Sequence, residues 1–88
     1  MTTEMIEKFI TGKSRKDSKV TIHFRERSPV TGLFIQTADY NELRSKNLWR
    51  IVNLVHIDEW KKTKNTDLAR IFNGLSFIRL TDEYNNIN

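Results

Sequence analysis

The stretch "KVTIHFRERSPVTGLFIQTADY", Lys19–Tyr40, decides how this chain is read. Its first part alternates: Val20, Ile22 and Phe24 are apolar, while Lys19, Thr21, His23 and Arg25 are polar. Successive side chains of a strand point to opposite faces, so this spacing predicts a strand over 19–26 with one buried face. Ser28-Pro29 then breaks the pattern. Proline lacks the N–H that a central ladder needs, which puts this corner at a strand start or edge. A second strand is expected over 30–38, with Val30, Gly32 and Phe34 on one face and Leu33 and Ile35 on the other. Two apolar faces imply cover on both sides, by a helix or by another subunit. Gly32 in mid-strand predicts a sharp bend, as where a sheet curls into a small barrel.

Upstream, residues 3–11 read as a short helix. Met5, Ile6, Phe9 and Ile10 fall on one face, Thr2 or Thr3 can cap the start, and Gly12 suits the stop. "KSRKDS" is a polar, basic loop. Downstream, 39–47 is polar and fits a loop, one turn of helix, or a short strand around Glu42–Arg44. "LWRIVNLVHIDEW", 48–60, is rich in β-branched and aromatic residues and reads as strand, with Asn53 marking a bulge or turn. Two patterns compete in "TDLARIFNGLSFIRL". Asn73-Gly74 is a hairpin signal, whereas Leu68, Ile71, Phe72 and Leu75 match helical spacing. The favoured reading is a helix over 67–73 and a strand over 75–80, followed by a polar, frayed tail over 81–88.

The 88 residues make one domain with a modest core. Oligomerisation would offset that small size, so a homo-oligomer is expected. The chain has no cysteine, which removes disulfides and thiolate chemistry and fits a reducing, cytoplasmic setting. No apolar stretch is long enough to span a bilayer, and the first residues lack the pattern of a signal peptide, so no membrane role is expected.

The net charge of +4 is concentrated. Residues 13–27 hold six basic side chains (Lys13, Arg15, Lys16, Lys19, Arg25, Arg27) against Asp17 and Glu26, while the rest of the chain balances. Such a patch favours a polyanion through counterion release, or serves simply as a solvated face.

Catalytic signatures are missing from the sequence. It contains no nucleophile elbow, phosphate-binding glycine loop or dinucleotide fingerprint. Asp58 and Glu59 are adjacent, so on a strand they would diverge. His23 and His56 do not by themselves make a metal site; His23 reads as a solvated histidine, and His56 as a structural one among apolar neighbours. No enzyme activity, cofactor or metal is expected. Trp60 beside Lys61, Lys62 and Lys64 has the chemistry to stack a base and hold a phosphate, although Trp49 and Trp60 also suit core or interface positions. Tyr40 and Asn41 follow the second strand, where they could stack a base and read its edge. Arg50 needs a carboxylate if buried, with Glu42, Asp58 and Glu59 as candidates.

The order helix, basic loop, "KVTIHF", "VTGLFIQTAD", then an apolar strand carrying His56, resembles the Sm-like family, and within it the Hfq-like RNA chaperones. Gly32 and Asp39 would be the family's mid-strand glycine and following aspartate. Leu54 and Val55 stand where those chaperones have Tyr and Lys, and Ala38 where they have an aromatic. The resemblance covers 5–60 and implies a strongly bent five-stranded barrel under an N-terminal helix; SH3-like barrels give a similar pattern. The barrel strands would span 19–60, with 67–80 as a helix–strand extension. It further implies edge-to-edge assembly into a ring, and single-stranded RNA held by Tyr40, Asn41 and His56, with Lys13, Arg15, Lys16, Arg25 and Arg27 on phosphates. The other reading is a small protein-interaction or structural module with no nucleic-acid role.

Overall fold

A computed structural model of the chain describes residues 1–12 and 18–82. Helix α1 (Thr3–Ile10) starts where the Thr2 hydroxyl accepts the Met5 N–H, and buries Ile6 completely. Strands β1 (Val20–Phe24) and β2 (Val30–Phe34) follow, shorter than 19–26 and 30–38. Helix α2 (Tyr40–Ser45) occupies the polar stretch in which a strand around Glu42–Arg44 was one expectation. Strand β3 (Leu48–Asn53) ends where the Asn53 side chain accepts the Val55 N–H and starts a 3-10 turn. The chain then forms α3 (Ile57–Thr63), so 48–60, expected as strand with a bulge or a turn between two strands at Asn53, does turn there but continues as a helix rather than a strand. Strands β4 (Ala69–Asn73) and β5 (Phe77–Asp82) are joined by a 3-10 turn, Gly74–Ser76.

The helix expected over 67–73 is also corrected. Only Thr66–Leu68 makes a helical turn, and Ala69–Asn73 pairs with β3 in five consecutive antiparallel registers. Pairing along a whole strand overrode a local helical pattern. Asn73-Gly74 does turn the chain, but its two flanking strands do not pair with each other, so it is not a hairpin. The expected helix–strand extension is thus the two outer strands of the sheet itself. Thr81 and Asp82 belong to β5 rather than to a frayed tail, and residues 83–88 lie outside the described residues.

The sheet is antiparallel, five-stranded, and ordered β4-β3-β2-β1-β5. It is open: no ladder joins β4 to β5. It is also strongly curled. In a flat sheet the outer strands would lie roughly 19 Å apart, at about 4.8 Å per neighbour, whereas the link from Asn73 to Phe77 reaches only about 14 Å. Curling brings the Phe24 ring of β1 to 5.9 Å from the Phe72 ring of β4, across two intervening strands. Gly32 contributes through close approach, not through unusual dihedrals: a Cβ there would lie 2.5 Å from the Val52 carbonyl oxygen on β3.

Two apolar clusters result. Inside the curl, Ile6 closes over Val20, Ile22, Phe24, Trp49, Ile51, Phe77 and Leu80. On the outer face, Ile57 of α3 packs on Leu33, Ile35 and Val52, with Trp60 and Ala69 against them. The second apolar face of β2 is therefore covered by α3 of the same chain, and needs no other subunit. Asn47, in a left-handed conformation that asparagine tolerates, ties the corner together. Its Oδ1 accepts the Trp49 indole N–H at 2.8 Å, its backbone oxygen accepts the Gly74 N–H at 2.8 Å, and its Nδ2 donates to the Met1 oxygen.

Candidate nucleic-acid interface

The residues singled out in the sequence divide between the two ends of β3. Tyr40 and Asn41 belong to α2, before β3 begins, whereas His56 lies just past its other end. Arg27 is on the His56 side, because it lines one cleft with Val30 and His56, whereas the Arg25 N–H reaches the Ser76 oxygen at 3.3 Å, beside the β4–β5 corner that Asn47 holds at the start of β3. The basic loop residues Lys13, Arg15 and Lys16 lie outside the described residues.

The Tyr40 end is committed to structure. The Tyr40 ring meets Trp49 edge-on at 6.1 Å, and its hydroxyl points at Glu7, 3.5 Å away. Burial, reinforced by the Glu7 charge, raises its pKa. A ring held in this way is not a free platform for a base. Asn41 beside it is exposed. Nearby, Asp39 accepts from the Thr37 hydroxyl and pairs with Arg50 at 2.7 Å. The Arg50 hydrogen bond, followed by that from Thr37, holds the carboxyl at about 2. The partner of Arg50 is thus Asp39, in the β2–β3 connection immediately before α2, and not Glu42, Asp58 or Glu59.

The surface around Arg27 is open and cationic. The Arg27 guanidinium lies 5.0 Å from the Phe24 ring centroid and 5.9 Å from that of Phe72, while remaining exposed. On one side of it is a groove of about 560 Å³, bounded by Arg25 and Glu26, by Ile71 of β4 and by Leu75 of the β4–β5 corner. On the other is a cleft of about 340 Å³, with His56, Arg70 and a single carboxylate, Asp67, in its wall. Phe72 lines both. Among the described residues Arg25, Arg27 and Arg70 enter no ion pair. Their donors are available to an incoming anion. His56 is exposed rather than set among apolar neighbours.

Sequence reasoning missed Arg70 and Phe72. The signal was present: read as a strand, "ARIFN" puts Arg70 and Phe72 on one face, but helical spacing was preferred. The pairing of Trp60 with a nearby lysine is realised, with the Lys64 ammonium 5.1 Å from the ring, yet the ring also packs on the outer cluster. Asp58 and Glu59 sit in the first turn of α3, both exposed, rather than on a strand. The His23 ring hydrogen-bonds the Thr81 hydroxyl at 3.1 Å. Among the described residues no group of three His, Asp or Glu side chains could hold a metal, and no helix is long and apolar enough to cross a membrane.

Comparison with protein-family models, with curated proteins and with solved structures returned no match for this chain.

Proposed function

We propose that this chain is a non-enzymatic RNA-binding module built as a small Sm-like or SH3-like barrel, which holds single-stranded RNA at its arginine-lined end. The observation that carries the reading is the set of three guanidiniums, Arg25, Arg27 and Arg70, that enter no ion pair among the described residues and stand around aromatic rings and His56. Phosphates meet the arginines, and bases have exposed apolar surface beside them. The curled sheet under an N-terminal helix supports the barrel part of the reading. The outer edges of β4 and β5 are where copies of the chain would join, hiding unpaired backbone and the exposed Ile71 and Ile78.

The test is an anisotropy titration of a labelled oligouridine across a salt series. Three phosphate contacts give a log–log slope of about −2, or about twentyfold weaker binding from 50 to 200 mM salt. Arg25→Ala, Arg27→Ala and Arg70→Ala should each reduce the slope by about 0.7. Salt-independent binding, or none at low salt, would defeat the proposal. The second reading, a protein-interaction module, is favoured by one observation: Ile71, Leu75 and Ile78 are 48%, 69% and 54% exposed along the outer strands and their corner. A protein partner retained after nuclease treatment, together with a monomer by light scattering, would establish that reading instead.

A further inference from the structure

We propose that the Phe24–Phe72 ring pair beneath Arg27 is a stacking subsite for one unpaired nucleobase, with the Arg27 side chain as its displaceable cover. The inference rests on the RNA-binding reading and locates the base contact within it.

Three features point there. The two rings lie 5.9 Å apart and tilted by 35° beneath Arg27, at the open seam beside β4; Phe24 is only 7% exposed, so the accessible ring is that of half-buried Phe72 until the Arg27 side chain moves. Phe72 is half-buried, although it forms part of the wall of both grooves, and the group covering it is an exposed arginine that no carboxylate anchors among the described residues. An arginine laid over a ring at an exposed site by cation–π attraction alone is held more weakly than a stacked base. Displaced, the guanidinium can lie on the other face of the base or pair with its phosphate. Arg25 and Arg70 stand on opposite sides of the seam, placed for the flanking phosphates. Of the RNA contacts the Sm-like resemblance implies, Tyr40, Asn41 and His56, the one phenol ring is that of Tyr40, and it is held against Trp49; Ala38, where the family has an aromatic, has no ring. A different aromatic must serve if bases are stacked at all.

The experiment uses the full chain and an oligouridine carrying one 2-aminopurine. Phe72→Leu keeps an apolar side chain in the core and removes the ring. It should weaken binding about tenfold, leave the salt slope unchanged, and restore the 2-aminopurine fluorescence quenched in the wild-type complex. Arg27→Ala should do the reverse, lowering the slope while keeping the quench. Photocross-linking of 5-iodouridine RNA to the wild-type chain needs no variant, and should map to Phe72 or Phe24. Binding and quenching unchanged in Phe72→Leu, or cross-links only elsewhere, would overturn the subsite while leaving RNA binding intact. Absence of any binding by the wild-type chain would remove the parent reading itself.

Discussion

Replacing Gly32 with alanine tests the curl directly. Gly32 lies in β2, paired with Val20 on β1 and with Asn53 on β3. A Cβ at this position would sit 2.5 Å from the Val52 carbonyl oxygen and 2.8 Å from the Ile51 Cγ2. Neither neighbour can yield cheaply. Val52 is backbone already paired with Ala69 of β4, and Ile51 is 1% exposed within the inner cluster. Overpacking of this kind costs about 1–3 kcal/mol, and weakening one ladder hydrogen bond adds about 1. Removing glycine's backbone entropy returns about 0.5–1 kcal/mol. The net loss is then about 1–3.5 kcal/mol, centred near 2, a large share of the roughly 4–13 kcal/mol available to a domain of this length. At about 4–8 °C per kcal/mol, Gly32→Ala should melt roughly 10–20 °C below the wild type by circular dichroism, with a matching fall in urea midpoint and an unchanged m-value. A variant that melts with the wild type would show that β2 and β3 do not approach as described, and that the curl has another origin.

The Asp39 carboxyl, held at about 2 against an ordinary 3.8, binds its proton less readily in the folded chain than in the unfolded one. Its contribution to stability is complete above the unfolded value and is lost as the pH falls from about 5 towards 2. Acid titration followed by circular dichroism should show this loss, and Asp39→Asn should flatten that part of the profile; an identical profile in the variant would refute the assignment. Trp60→Ala should uncover the outer cluster and cost about 2 kcal/mol in urea denaturation, yet leave oligouridine affinity unchanged, because the ring packs on Leu33, Ile35 and Val52. A loss of RNA affinity at unchanged stability would instead make Trp60 a base contact.

Much of the fold was legible because strand alternation is a strong local signal. Val20, Ile22 and Phe24 all face the inner cluster, and the two apolar faces of β2 are both covered. What failed was short and context-dependent. "LVHIDEW" is apolar enough for a strand, but Ile57 and Trp60 sit one helical turn apart and dock as α3 on a sheet face that only tertiary structure supplies. "LARIF" carries helical spacing by coincidence, and its pairing with β3 is a long-range fact. The site was half legible. Charge density located Arg25 and Arg27, but no local pattern could show that the curl brings Arg70 and Phe72 to them, or that it ties the Tyr40 ring down to Trp49.

The most direct measurement is an amide-resolved NMR titration of the isotopically labelled chain with oligouridine at low salt. The account predicts that shifts cluster at Arg25–Arg27, around His56, and along Arg70–Phe72, while the amides of α2 stay still. Shifts confined to Tyr40, Asn41 and their neighbours on α2, or no shifts at all, would contradict it.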